Sequence, residues 1–440
     1  MTDVNFAVTA VFDRKLFWEG GDSVRYLVAR LQAGLKGGRH SAERQPLNIA
    51  LVIDASGSMG DGKLEAAKAA ALGLAERLTE RDRLTLVSFA SDVQVHLDAV
   101  PVTNENAMRI RGEVSLLETR GMTNLSGGWF AGGECVARVA EEDGRMTPRI
   151  IILSDGHANE GIADANELRE HAGELRLRGV LTSTLGIGDG YDEQLLRGIA
   201  ENGGGRLHDA ELTSEISTVL LGELDDIFGT LVEDAQIELI MATGTRVDVV
   251  GKTHSGTRGG GVLVLMGPVQ NDIERVAVFK VTCPKARRDD RLNFEVVANG
   301  RAVDGRFMLE AIAVKSCLIA VDGKANADQP RDVEIAEIVA RTWSAHVVTT
   351  AAKMNRDGAY EDAQKYIEGE LRHFRRYVEG LHRGQDMVAE LELLARRVGR
   401  QFSSRMRKEM VVQSSLTMES RMDRRGGGKA AWSARMERGD

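Results

Sequence analysis

From Leu47 to about Val232 the chain alternates short apolar runs with stretches of helical period. "NIALVIDAS" and "RIIILSDG" are near-continuous apolar runs, as expected of strands covered on both faces. "RLTLVSFA" and "VLTSTLGIG" add two more strands, "VQVHLDAV" an edge strand and "RLHDA" a short one. Between them "KLEAAKAAALGLAERL", "NENAMRIRGEVSLLE", "GECVARVAEE", "ANELREHAGELRLRG" and "DEQLLRGIAENGG" predict helices. "SEISTVLLGELDDIFGTLV", Ser214 to Val232, predicts the last. This alternation predicts an α/β domain, a doubly wound and mostly parallel sheet with helices on both faces.

The flanking pattern differs. "VNFAVTAVF" and "SVRYLVARL" read as strands joined by the turn "WEGGD", before the Gly/Arg/Ser-rich linker "GLKGGRHSAERQP". From Ala235 to about Val314 the segments "QIELIMAT", "TRVDVVG", "GGVLVLMG", "ERVAVFKVTC", "LNFEVVAN" and "RFMLEAIAV" predict an antiparallel β sandwich. The two N-terminal strands are expected to complete it, so that the α/β domain sits inside one β domain. From Arg331 onward the chain reads as helical. Helices are expected over "VEIAEIVARTWSAHVVTTAAKMNRDG" and "AYEDAQKYIEGELRHFRRYVEGL", and a third from about Gln385 towards Met422, forming a small bundle or hairpin. The expected units are therefore 1–45, 46–232, 233–318 and 328–424, with a mobile tail over 425–440, the end of "RRGGGKAAWSARMERGD".

Composition narrows the class. The net charge of −9 argues against whole-protein affinity for nucleic acid. The last 110 residues, from Arg331, hold 21 Lys/Arg against 17 Asp/Glu, so the acidic excess lies in the first 330. Three scattered cysteines, Cys135, Cys283 and Cys317, make neither a disulfide framework nor a zinc cluster, which suits a reducing compartment. "MTDVNFAVTAVFDRK" does not read as a signal peptide, and no apolar run reaches the length of a membrane span. The expectation is a cytoplasmic protein that does not enter a membrane.

Candidate chemistry gathers where predicted strands end. The first strand of the α/β domain delivers Asp54, Ser56 and Ser58. The loop "GMTNL" carries Thr123, and "IIILSDG" ends at Asp155. In a doubly wound sheet ligands bind beyond the carboxyl ends of the strands, where the strand order reverses. Two carboxylates brought together there repel, which pushes one pKa up unless a cation intervenes. The triplet alone is equally a helix-capping arrangement. With Thr123 and Asp155 the set becomes five hard oxygen donors, which select Mg²⁺, Mn²⁺ or Ca²⁺ over zinc. Two carboxylates are few for a calcium cage, so Mg²⁺ is the expected ion. Gly57 and Gly60 would let the loop turn around it. The helix starting near Lys63 would point its positive end at the same crevice.

"DASGS", Thr123 in "GMTNL" and Asp155 in "LSDG" resemble the metal-ion-dependent adhesion site of the von Willebrand factor A (VWA) domain, in a form found in bacterial cytosolic proteins. The resemblance extends to the strand and helix order over Leu47–Val232. It implies that Ser56 and Ser58 bind the metal directly, Thr123 directly or through water, and Asp54 and Asp155 largely through water. The electron-poor ion would then take a Glu or Asp of a partner protein as its last ligand. The implied role is a non-catalytic scaffold with metal-dependent protein binding. The resemblance also implies that the helix Ser214–Val232 shifts when the metal changes ligand, pulling on the sandwich. A second reading is a non-catalytic subunit beside an AAA+ ATPase of a chelatase or remodelling machine, or beside a kinase–phosphatase module. A metal-dependent hydrolase is a third.

Other features resolve to blander readings. "GIGDG", Gly186 to Gly190, lacks the spacing of a phosphate loop and reads as a strand-to-helix turn. "NGGGR" reads as a helix stop. His157 is expected in a loop at the rim of the metal site. The arginines of "ARRVGRQFSSRMRK", Ala395 to Lys408, are either a solvated helix face or an anion-binding patch. No Ser-His-Asp order, nucleophile elbow or kinase signature is present. The terminal "RGD", Arg438 to Asp440, reads as chance, since no secretion signal is expected.

Overall fold

The computed structural model describes residues 4–35, 44–251, 255–258, 260–303, 308–418 and 432–438. Most of the linker, much of the expected tail and the last two residues of "RGD" lie outside these.

Strands β1 (Val4–Phe12), β2 (Leu16–Trp18) and β3 (Val24–Leu35) open the chain. The α/β unit follows as β4 (Leu47–Asp54), α1 (Lys63–Arg77), β5 (Arg83–Phe89), β6 (Val93–Pro101), α2 (Ala107–Ser115), α3 (Leu125–Glu142), β7 (Thr147–Ser154), α4 (Ala165–Leu177), β8 (Leu181–Ile187), α5 (Glu193–Asn202), β9 (Gly204–Ala210) and α6 (Ile216–Phe228). Its sheet has the order β6-β5-β4-β7-β8-β9, parallel except for β6. β4 is buried along its whole length because both faces are covered. Ile49, Leu51 and Ile53 pack with Leu64 and Ala67 of α1 and Leu220 and Leu224 of α6. Ala50 and Val52 pack with Trp129 and Val136 of α3 and Leu196 of α5.

α3 begins at Leu125, earlier than the loop reading of "TRGMTNLSGG" allowed, because Asn124 caps it through Gly127 N–H at 2.9 Å. Its glycines bring the helix onto the sheet. A Cβ on Gly128 would lie 2.6 Å from Cβ of Phe89, and one on Gly132 would lie 2.7 Å from the Val52 side chain. Gly128→Ala therefore has a net cost despite alanine's better helix propensity. We expect a loss of about 1–3 kcal/mol, since Cβ of Phe89 cannot swing away. The check is a lowered thermal midpoint, against no loss for Gly112→Ala, where a Cβ meets nothing.

After α6 come β10 (Thr230–Ile240), β11 (Arg246–Val250), β12 (Ser255–Arg258), β13 (Gly261–Gln270), β14 (Arg275–Thr282), β15 (Arg291–Ala302) and β16 (Met308–Val321). They form two sheets, β1-β3-β14-β11 and β12-β13-β10-β15-β16-β2. β3 pairs antiparallel with β14 (Leu27 opposite Phe279), and β2 pairs parallel with β16 (Phe17 opposite Ala320). Strands made before the α/β unit are thus stitched into sheets made after it, and the unit is an insertion in one sandwich. Phe6, Leu27, Leu31 and Phe279 of one sheet meet Ile237, Val264, Phe294 and Val296 of the other. The expected last helix of the unit is shorter than its apolar pattern. Gly229 ends it after Phe228, and Thr230 already pairs with Gln270 in β10.

The C-terminal region comprises α7 (Gly323–Asp328), α8 (Val333–Arg356), α9 (Tyr360–Val378), α10 (Gly384–Arg397), α11 (Ser404–Met418) and α12 (Trp432–Arg438). It covers the outer face of the first sheet. Tyr26 and Val28 of β3 and Val276 and Val278 of β14 pack with Ile335, Val339 and Trp343 of α8.

Two expectations are corrected here. The third helix is two, because the chain turns between Val398 and Ser403. Buried Asn355 holds that turn, donating to the carbonyls of Val398 (3.0 Å) and Arg400 (2.6 Å) and accepting from Phe402 N–H (2.9 Å). The tail expected to be mobile forms α12 over 432–438. Trp432 and Met436 enter the helical core, and Arg435 pairs with buried Glu409 at 2.9 Å.

Candidate metal centre

The strand order reverses between β4 and β7, which are parallel neighbours. Asp54 is the last residue of β4, and Asp155 follows the last residue of β7. The fold therefore sets the two carboxylates side by side at the carboxyl edge, where such sheets hold ligands.

Asp54, Ser56, Thr123 and Asp155 are all buried, whereas Ser58 is exposed. Asp54 Oδ1 accepts Ser56 N–H at 2.8 Å, and Asp54 Oδ2 accepts Ser154 Oγ–H at 2.6 Å. Ser56 Oγ lies 3.0 Å from Ser58 Oγ, which donates to Asp155 Oδ1 at 2.7 Å. One polar chain thus crosses from β4 to the end of β7. Thr123 enters from the loop before α3. A Cβ on Gly156 would stand 3.5 Å from Ser58 Oγ and 3.6 Å from Thr123 Oγ1, so the three loops converge at that glycine. All five residues singled out in the sequence are brought together.

The turn after the serines is made differently from the expectation. Gly57 and Gly60 form part of a 3-10 turn, and the left-handed conformations fall on Asp61 (φ 53°) and Gly62 (φ 85°). Gly57 N–H instead donates to the Gly121 carbonyl at 3.2 Å, tying the serine loop to the threonine loop.

Three contributors were missed in the sequence. Ser154 orients Asp54, and its only sequence signal is its place in "LSDG". Asn159 fixes Thr123: its Oδ1 accepts Thr123 N–H at 2.8 Å, and its N–H donates to the Thr123 carbonyl at 3.1 Å. No sequence pattern marks it. Lys63 donates from Nζ to Asp155 Oδ2 at 2.5 Å and to the Ser58 carbonyl at 3.0 Å. His157, expected at the rim, is exposed with Nδ1 3.7 Å from Asp192 Oδ2.

Burial pushes the Asp54 carboxyl above the usual carboxylate range. The charge of Asp155 adds to this, and hydrogen bonds from Ser154 and Ser56 oppose it. A dication among these oxygens would remove that penalty. The donor chemistry fits a small hard ion: carboxylates and hydroxyls, no sulfur, no imidazole. Among the described residues no group of three or more His, Cys, Asp or Glu gathers as a metal cage, so a site here must draw on hydroxyls.

α11 lies close by. Lys408 donates to the Asp189 carbonyl at 2.8 Å and sits 3.5 Å over the Tyr191 ring. Arg405 forms a double hydrogen bond to buried Asp209 at the end of β9. Asp189 and Gly190, the last two residues of "GIGDG", lie with Tyr191 in the strand-to-helix turn between β8 and α5. Gly190 sits so near the metal loop that a Cβ there would be 2.8 Å from the Asp155 carbonyl. In the Arg-rich stretch, Arg396, Arg397 and Arg400 are exposed as a solvated face. Arg405 and Lys408 are neither solvated nor free for an anion. They clamp the chain onto its own α/β unit.

A doubly wound sheet with a serine-rich turn after its first central strand defines a class, and the comparisons agree. Residues 48–220 match the family model of the von Willebrand factor type A domain, so the inserted unit is a VWA domain. The inter-alpha-trypsin inhibitor heavy chain H3 of Homo sapiens is 29% identical over 228 residues, covering 50% of this chain and 25% of that protein. An uncharacterised protein of Synechocystis is 33% identical over 187 residues, covering 42% of each. This chain therefore spans well under two thirds of these relatives. A solved structure described as von Willebrand factor type A from Catenulispora acidiphila has a TM-score of 0.66 at 16% identity, over 89% of both chains. That likeness is one of fold, and it takes in the sandwich and helices as well. Among the described residues no helix is long and apolar enough to cross a membrane.

Proposed function

We propose that this protein is a non-catalytic binding protein. In this reading Ser56, Ser58 and Thr123, backed by Asp54 and Asp155, hold one Mg²⁺, with Mn²⁺ or Ca²⁺ as substitutes. The remaining position of the ion takes a Glu or Asp side chain of a partner protein. VWA domains often mediate protein–protein interaction. The observation that carries the reading is the unbroken contact from Asp54 through Ser56 and Ser58 to Asp155 across two neighbouring strands. Hydroxyls between two buried carboxylates leave an ion electron-poor, which favours an anionic last ligand.

The expected shift of the last helix meets a constraint. Buried Glu223 of α6 accepts from Ser183 of β8 at 2.6 Å, pairs with His208 of β9 at 2.8 Å and with Arg206 at 3.1 Å. A sliding α6 would break all three.

The test is a Mn²⁺ titration followed by partner capture with Mg²⁺ and with chelator, using wild type and Asp54→Ala/Ser56→Ala. We expect one dication per wild-type chain and partners that leave with chelator and are absent from the variant. Partners that survive both treatments do not use this site, and a set made only of such partners would refute the reading.

A further inference from the structure

Lys63 is the side chain at the site that the docking reading leaves without a role. It is the first residue of α1, and its ammonium touches Asp155 Oδ2 and the Ser58 carbonyl at once. Asp155 is thereby held at both oxygens, by Ser58 Oγ on one and Lys63 on the other. The Lys63 stem runs beside Gly188 of the loop after β8, where a Cβ would be 3.9 Å from its Cε. Its side chain is 30% exposed and that of Asp155 is fully buried, so solvent screens the pair only in part.

The charges in contact decide what the site can hold. Two ionised carboxylates and one ammonium make the cluster singly negative. A dication added to it makes the cluster singly positive, and a carboxylate docked on that dication brings it to neutrality. Without the ammonium the same steps run from doubly negative, through neutral with the dication alone, to singly negative with the carboxylate. We propose that Lys63 makes dication and acidic ligand bind as a pair: it weakens the ion held alone and makes a carboxylate the group that completes the site. This rests on the metal-docking reading above and adds a residue and a linkage to it. By reciprocity, whatever factor the acid adds to metal affinity the metal adds to acid affinity.

The experiment is calorimetric titration of Mn²⁺ into wild type, Lys63→Met, Lys63→Gln and Lys63→Arg, in chloride and in acetate at matched ionic strength. Acetate stands in for the partner's carboxylate. Wild type and Lys63→Arg should bind Mn²⁺ weakly in chloride and roughly fivefold or more tightly in acetate. Lys63→Met and Lys63→Gln should bind about tenfold more tightly than wild type in chloride and gain nothing from acetate. A second readout needs no metal. In EDTA both neutral variants should melt below wild type, because the carboxylates have lost their contact cation, and Mn²⁺ should restore them. Neutral variants that bind Mn²⁺ no more tightly than wild type, or that keep its acetate dependence, overturn the role of Lys63 alone. Absence of Mn²⁺ binding in every protein overturns the metal site itself.

Discussion

A chain carrying Asp54→Asn takes up Mn²⁺ about 10–100-fold more weakly than wild type, yet melts no lower than wild type in EDTA. The first half follows from position. Asp54 orients Ser56 through its N–H and supplies one of the two negative charges beside the proposed ion. An amide keeps the shape and removes the charge. The second half follows from burial. Desolvation already pushes the Asp54 carboxyl upward and Asp155 repels it, so the ionised form is a strained tenant of the metal-free site. Asn retains an oxygen for Ser56 N–H, and Ser154 can turn its hydroxyl to accept from the amide. Loss of metal with retained or raised stability is the pattern of a functional site that costs the fold something. A variant that loses both is reporting a structural role, and the metal assignment of Asp54 would fall with it.

Arg405→Ala should free the C-terminal helices from the VWA unit. The side chain is 10% exposed and its partner Asp209 is fully buried, so truncation takes a guanidinium away from a carboxylate that water cannot reach. Removing one member of such a pair costs about 3–5 kcal/mol. Tyr191 O–H still reaches Asp209 at 2.9 Å, but a phenol does not replace a guanidinium. A chain of several packed units need not unfold in one step, so the proper readout is local hydrogen exchange. Exchange in α11 and β9 should quicken by about 100-fold or more, the equivalent of the lower figure, while β4 in the sheet centre changes little. Replacing both partners with apolar residues, Arg405→Met with Asp209→Leu, should recover most of the loss, since the buried charge is removed together with its guanidinium. Equal protection in Arg405→Ala and wild type would show that α11 is held by its apolar face alone.

The clamp bears on the proposed function. Lys408 holds the Asp189 carbonyl, and the adjoining Gly190 lies against Asp155. The helical region thus contacts the loop that flanks the metal centre, while α6 is pinned by Glu223.

How much of this was legible depends on whether the signal was local. The α/β unit was legible because strands such as "NIALVID" and "RIIILS" are covered on both faces and carry continuous apolar runs. The five oxygen-bearing residues were legible because three sit within five residues, Asp155 closes an apolar strand run, and Thr123 lies in the short loop "GMTNL". Asn159 and Lys63 were not, since a loop asparagine and a helix-start lysine are ordinary in sequence and acquire meaning only from a neighbour 36 or 92 residues away. The split of the third helix was hidden because the group that stabilises the turn, Asn355, is more than 40 residues upstream. β3 read as a sandwich strand, but Tyr26 and Val28 face helices while Leu27, Ala29, Leu31 and Ala33 face the sandwich.

By itself the sequence determined the main strands and helices, that the central sheet is mostly parallel and doubly covered, and which five oxygen-bearing residues lie at or beyond its strand ends. Those follow from periodicity and from short spacing, which act along the chain. Only the tertiary structure decided that a lysine closes the carboxylate cluster, that two cations of the basic helix are buried against Asp209 and Tyr191, and that the tail returns as a helix. Each of those depends on charges and apolar faces meeting across long stretches of chain, and their energy comes from burial that no local pattern encodes.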